Sequence, residues 1–129
     1  MSTETILIVE DSELNRRLLE AVLTPHGYRL LLAKDGETGV SLALDERPDL
    51  ILMDILLPGI DGYEATRQLR VAPETRHVTI VALTASAEPE ERDHARAAGC
   101  DGYIIKPIDT RAFPRQIRQF LSDSRGFGP

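Results

Sequence analysis

The sequence predicts an α/β fold in which a parallel sheet of five strands carries helices on both faces. Five short apolar runs, at residues 6–9, 30–33, 50–53, 80–83 and 103–105, supply the strands. Each run is apolar throughout instead of alternating, as a strand covered on both faces requires. Helical stretches separate the runs, and strands joined through helices become parallel by right-handed crossovers.

The elements follow in order. After the first strand, Leu14, Leu18 and Val22, with Leu19 and Leu23, form one apolar helical stripe. Pro25-His26-Gly27 ends it with a breaker and a C-cap. A second helix spans about residues 36–45 and turns Val40, Ala43 and Leu44 inward. Pro58-Gly59-Ile60-Asp61-Gly62 reads as a turn, and a third helix with Ala65 and Leu69 starts near Gly62. The fourth runs from Pro89 to Ala98, with proline near its start and Gly99 after its end. Its only apolar anchors are Ala95, Ala97 and Ala98, so little buried area holds it down. The last helix carries Phe113, Ile117, Phe120 and Leu121 at spacings of four, three and one. Pro114 lacks the N–H that a helix interior uses, so this helix is expected to start late, near Pro114, or to bend there. Residues 122–129 are small and polar, a tail expected to fray.

A chain of 129 residues fits a single domain, with the core expected over about residues 5–121. Hydrophobic residues at 42% and charged residues at 28% are those of a folded globular chain, not a disordered one. No apolar run approaches the ~20 residues of a membrane span, which argues against a membrane partner. The formal charge of −6 argues against a nucleic-acid surface, which is basic and clustered. Cys100 is the one cysteine, so a disulfide framework is excluded and a reducing cytoplasm is the expected location. The basic residues are arginines except for Lys34 and Lys106, which makes the position of Lys106 conspicuous.

In a parallel α/β sheet, function gathers at the carboxyl ends of the strands. Strand one ends in Glu10-Asp11, strand three in Asp54, strand four in Thr84 and strand five in Lys106. Three carboxylates, a hydroxyl and an ammonium thus reach one edge. Carboxylates brought together resist joint ionisation unless a cation compensates them, and Mg²⁺ is the hard ion that takes such oxygens. A carboxylate beside such an ion can attack phosphorus, with lysine and threonine meeting the phosphoryl oxygens.

Four segments, ILIVED (residues 6–11), DLILMDILLPGIDGYE (49–64), ALTA (82–85) and GYIIKPI (102–108), resemble the receiver domains of two-component signalling. The likeness covers roughly residues 5–121. It implies a flavodoxin-like (βα)5 doubly wound sheet in strand order 2-1-3-4-5. It implies Asp54 as phosphoacceptor, and Glu10, Asp11, Asp54 and the backbone carbonyl of Leu56 as holders of Mg²⁺. Thr84 and Lys106 then act on the phosphoryl group, Thr84 and Tyr103 form a coupled switch, and the Lys106–Pro107 bond is cis, which an X-Pro bond adopts at modest cost. The implied activity is Mg²⁺-dependent transfer of a phosphoryl group from the phosphohistidine of a sensor histidine kinase or histidine phosphotransfer protein. The face of the fourth helix, fifth strand and last helix then reshapes to control a downstream protein. Such a chain catalyses only its own phosphorylation and dephosphorylation. A phosphorylation-dependent homodimer is left open.

EDSELNRRLL resembles receivers that meet histidine phosphotransfer bundles, which would put Leu14, Asn15 and Leu18 near that contact. Leu56, two residues after Asp54, cannot orient a hydrolytic water, so a long-lived phosphoryl-aspartate is expected. Taken singly, the residues have plainer readings. Asp11 reads equally as a helix cap, Asp54 as a loop acid, Thr84 and Ser86 as strand-end hydroxyls, and Tyr103 as a static aromatic. Cys100 reads as a packed residue, and His26, His77 and His94 as surface residues too scattered for a metal. Rival functions are a pseudo-receiver that never carries phosphate and a phosphohydrolase with an aspartyl nucleophile. Intact Asp11, Asp54, Thr84 and Lys106 speak against the first. The second carries another acid two residues after its nucleophile, where this chain has Leu56.

Overall fold

A computed structural model describes residues 3–122. Strands β1 (Thr5–Val9), β2 (Arg29–Ala33), β3 (Leu50–Asp54), β4 (Thr79–Thr84) and β5 (Gly102–Ile105) alternate with helices α1 (Glu13–Leu23), α2 (Gly36–Glu46), α3 (Gly62–Val71), α4 (Pro89–Ala98) and α5 (Phe113–Ser122). All strand pairings are parallel, in the order β2-β1-β3-β4-β5. β1, β3 and β4 extend beyond their apolar runs onto polar residues that are themselves buried, Thr5, Asp54, Thr79 and Thr84. Residues 123–129 of the expected frayed tail lie outside the described residues, and Ser122 closes α5.

The alternation of side chains along each strand sorts the core into two layers. Leu7, Val9, Ile51, Met53, Ile80 and Ala82 face Ala43 of α2, Tyr63, Ala65 and Leu69 of α3, and Ala95 and Ala98 of α4. Ile6, Ile8, Leu50, Leu52, Val81 and Leu83 face Leu19 and Leu23 of α1 and Phe113, Ile117 and Phe120 of α5. β1, β3 and β4 are buried along their whole length. The expected full burial fails at the edge strand β2, where Leu32 is 38% exposed because one long side of the strand has no neighbour.

Helices α1, α2 and α3 begin on side-chain caps. Ser12, Asp35 and Asp61 accept hydrogen bonds from the main-chain N–H groups of Asn15, Thr38 and Glu64. The cap of α1 is therefore Ser12, not Asp11. The apolar stripe read along α1 divides into two ridges: Leu19 and Leu23 are buried, while Leu14 and Leu18 are 78% and 42% exposed. In α2, Leu42 packs on the core beside Val40, and Leu44 is half-buried. In α4, Ala95 and Ala98 are buried but Ala97 is exposed. Pro114 occupies the second position of α5, where its missing N–H costs nothing, and Asp109 accepts the N–H groups of Arg111 and Ala112 just ahead.

Arg70, at the end of α3, ties four acceptors together. Its Nε donates to Gly99 O at 2.8 Å, and its terminal nitrogens donate to Arg76 O at 3.0 Å, Val78 O at 2.6 Å and Asp101 Oδ2 at 2.7 Å. Asp101 Oδ2 also accepts the Ile80 N–H at 2.9 Å, so the clamp fixes where β4 begins. Gly62 is required by space: a Cβ there would strike the Asp54 carbonyl oxygen and approach Ile55 Cα to 2.9 Å.

Arg70→Ala is expected to lower stability by about 2–4 kcal/mol in denaturant melts, since it strands carbonyls and the Asp101 carboxylate together. Arg70→Lys should recover only a minor part, because an ammonium lacks the fork that meets several acceptors. Gly62→Ala is expected to cost about 1–3 kcal/mol through backbone displacement, read as a lower midpoint at unchanged denaturant slope.

Candidate functional site

Sheet register assembles the site. Val9 pairs with Met53, so Glu10 emerges beside Asp54. Asp54 pairs with Leu83, and Thr84 with Ile105, so Thr84 and Lys106 emerge on the other side of Asp54. Main-chain bonds extend the ladder past the strand ends, from Glu10 N–H to Ala33 O at 2.9 Å, Ile55 N–H to Leu83 O at 3.1 Å and Lys106 N–H to Thr84 O at 2.7 Å. The strand order reverses between β1 and β3, and the carboxylates stand at the mouth of that crevice.

Glu10 and Asp54 are 1% and 3% exposed, whereas Asp11 is exposed. One carboxylate oxygen from each of the three lies within 4.8 Å of the others. Lys106 Nζ donates to Asp54 Oδ1 at 3.1 Å and to Glu10 Oε1 at 3.4 Å. Glu10 Oε2 accepts the Ser12 N–H at 3.0 Å, and Asp54 Oδ1 accepts the Leu56 N–H at 3.4 Å. Burial pushes the Glu10 carboxyl above its ordinary range; the Ser12 N–H and Lys106 pull it down, while the Asp54 charge pushes it up. Burial disfavours the Lys106 ammonium, but Asp54 and Glu10 more than offset this and raise its pKa above the ordinary value. Three carboxylates against one ammonium leave a local excess of negative charge, and oxygen donors so arranged suit a hard divalent cation.

Thr84 is buried, and its Oγ1 accepts the Ser86 N–H at 3.1 Å. With Asp54, Leu56, Ser86, Glu91 and Lys106 it lines a cavity of about 130 Å³ directly over the Asp54 carboxylate. Tyr103 is half-buried, with the guanidinium of Arg92 5.2 Å from its ring centre. Tyr103 shares the register of Ala82 on the edge strand β5, with β4 between it and Asp54, outside the carboxylate cluster. The Lys106–Pro107 peptide bond is cis. On the other side of Lys106 a larger apolar groove of about 310 Å³ runs past Asn15, Leu18, Ala85, Pro107 and Ile108. Leu56 stands 77% exposed at the rim.

The remaining candidates stay away. Cys100 is buried, and that burial raises its thiol pKa to about 11, so it is inert packing. His26, His77 and His94 are exposed and apart, and His94 stacks on Tyr63 at 3.9 Å between ring centres. Three contributors were not singled out from the sequence: Ser12 as cap and partner of Glu10, Glu91 at the cavity, and Arg16. Arg16 donates to the carbonyls of Glu10 at 2.8 Å and Asp11 at 3.1 Å. The Ser12-Glu13 pair gave a signal for the cap; nothing in the sequence marked Arg16.

The response regulator receiver domain family matches residues 6–118. The polar-differentiation response regulator DivK of Brucella anthropi is 39% identical over 121 residues, which are 94% of this chain and 98% of that protein. A putative response regulator from Chloroflexus aurantiacus superposes with a TM-score of 0.89 at 31% identity, covering 95% of this chain and 100% of that one. The receiver domain of a sensor histidine kinase from Pseudomonas aeruginosa, solved with magnesium coordinated in its active-site cleft, gives 0.87 at 38% identity, with 95% and 100% covered. Among the described residues no helix is long and apolar enough to cross a membrane. With the family match spanning most of the sequence, the chain belongs to the response regulator receivers, signalling modules of two-component systems and not metabolic enzymes.

Proposed function

We propose that this chain is a cytoplasmic receiver that takes a phosphoryl group onto Asp54 in a Mg²⁺-dependent reaction and signals through its changed surface. The observation that carries the proposal is Lys106 Nζ held between Asp54 Oδ1 and Glu10 Oε1, with Asp11 completing the carboxylate cluster. Glu10, Asp11, Asp54 and the Leu56 carbonyl would hold the ion, which when bound neutralises charge on the transferring oxygens. The donor is a phosphohistidine on a sensor kinase or histidine phosphotransfer protein. An Asp54 oxygen forms the new bond to phosphorus while the phosphorus–nitrogen bond breaks. The leaving imidazole nitrogen keeps the electron pair and takes up a proton. Lys106 and the Thr84 hydroxyl supply positive charge and a hydrogen bond to the phosphoryl oxygens.

Thr84 already faces the cavity over Asp54, so moving its hydroxyl towards the phosphoryl group is a short displacement. Tyr103 then moves into the vacated space, and α4, anchored by Ala95 and Ala98, is the element that yields. The exposed Leu14 and Leu18, next to the groove that reaches Lys106, suit a partner helix delivering the phosphohistidine.

Intact-mass measurement after incubation with acetyl phosphate tests the chemistry. One phosphoryl adduct is expected with Mg²⁺, and none with EDTA or in Asp54→Ala. Folded wild type that stays unmodified in Mg²⁺ would point instead to a binding module that never carries phosphate. Leu56 places an apolar side chain where a polar one would orient attacking water. Loss of the adduct should therefore speed up on the order of tenfold in Leu56→Asn, roughly the effect of one well-placed hydrogen bond. A slower loss from the variant than from wild type would refute the role assigned to Leu56.

A further inference from the structure

We propose that Arg16 is the positioning residue of the acidic pair, fixing the main chain at Glu10 and Asp11 so that both carboxylates meet one cation. The inference rests on the Mg²⁺-binding reading above and names a residue outside the ion's own ligands. Arg16 stands in the first turn of α1, and one guanidinium nitrogen reaches back to two consecutive carbonyls, Glu10 O at 2.8 Å and Asp11 O at 3.1 Å. Those carbonyls belong to the Glu10–Asp11 and Asp11–Ser12 peptides, which flank the Asp11 Cα and set the direction in which its side chain leaves the chain; the first also bounds Glu10.

The two carboxylates depend on this brace unequally. Glu10 is buried and is held through its own side chain by the Ser12 N–H and by Lys106. Asp11 is exposed, and among the described residues no hydrogen bond holds its carboxylate. Its place in the cluster is therefore set by the main chain, and Arg16 grips that main chain on both sides of the Asp11 Cα. The neighbouring bonds agree: the α1 cap on Ser12 and the Arg16 N–H to Ser12 O bond of 2.9 Å fix the helix from which the guanidinium reaches. Arginine suits the task because its planar head serves two carbonyls in a preset geometry.

Positioning and simple charge predict opposite signs. A guanidinium beside the cluster repels a divalent cation, so removing its charge should tighten Mg²⁺ binding. Removing a brace that aligns a ligand should weaken it, roughly tenfold for a group in the shell outside the ligands. Chemical-shift titration of ¹⁵N-labelled protein with MgCl₂ would compare wild type, Arg16→Met and Arg16→Lys. Weaker binding in Arg16→Met, with Arg16→Lys in between, is the expected result. The Mg²⁺ concentration giving half the maximal rate of acetyl phosphate labelling should rise by the same factor. Equal or tighter binding in Arg16→Met overturns the proposal while leaving the phosphorylation reading intact. Wild type that binds no Mg²⁺ overturns both. Should Arg16→Met lose its native amide spectrum, Arg16→Lys decides alone: weaker binding supports the brace, and equal or tighter binding refutes it.

Discussion

Lys106 supplies the positive charge that lets Glu10 and Asp54 lie buried side by side, with its Nζ 3.4 and 3.1 Å from them. Burying two carboxylates is costly unless charge and hydrogen bonds repay the loss of water, and one ammonium repays it only in part. The raised Glu10 carboxyl is the visible sign of that shortfall. Much of the surrounding structure serves to hold this unfavourable cluster in place. Parallel register delivers its members, the Ser12 N–H satisfies Glu10, and Gly62 lets α3 close against the Asp54 main chain without a side chain between them. A cluster short of positive charge is also one that gains from a cation or from altered charge on Asp54, which is what a switch requires.

The two layers of the core divide the labour unequally. α5 enters its layer with Phe113, Ile117 and Phe120, and α1 adds Leu19 and Leu23, each large side chain contributing roughly 1.5–3 kcal/mol by burial. α4 enters the other layer with Ala95 and Ala98 only, each worth a fraction of that. Its other contacts include Arg92 over the half-buried Tyr103 and His94 stacked on the buried ring of Tyr63. Such contacts are weak and geometry-dependent, so they hold the helix less firmly than large buried aliphatic side chains would. Glu91 of the same helix lines the cavity over Asp54, next to the Arg92 that touches Tyr103. The least anchored helix thus meets both the place where charge is proposed to change and the aromatic proposed to respond.

How much of this was legible in the sequence depends on the kind of interaction. Continuous apolar runs separated by helices pointed to parallel strands, because burial on both faces leaves no room for polar alternation, while their order came from the likeness to receivers. The residues that follow those runs then gave Glu10, Asp11, Asp54, Thr84 and Lys106 as one edge. Pro114 correctly pointed to a late start of α5, since a missing N–H acts locally. The failures concern faces and edges. Leu14 and Leu18 fit a helical period as well as Leu19 and Leu23 do, and only the position of α1 on the sheet decides which ridge is covered. β2 reads as apolar as the inner strands, yet its place at the sheet edge exposes Leu32.

The arginines mark the limit more sharply. Read as composition, their preponderance over lysine says nothing about function, and for many of them that reading holds. Arg70 and Arg16 are different, because each uses its guanidinium on backbone carbonyls. A carbonyl acceptor belongs to every residue, so no pairing of side-chain types in the sequence can announce such a contact. It arises only when a helix end is brought to a loop by the fold. Arg70 does this beneath β4 and β5, at the end of the sheet opposite the carboxylates, and Arg16 does it beside them. One pins where β4 begins, so that Thr84 emerges one residue past the level of Asp54 and one short of that of Lys106. The other grips the turn after β1, where among the described residues no hydrogen bond aims the Asp11 carboxylate. Register and turn geometry, the two quantities that convert apolar runs into a charged site, are each secured by an arginine that the apolar pattern does not reveal.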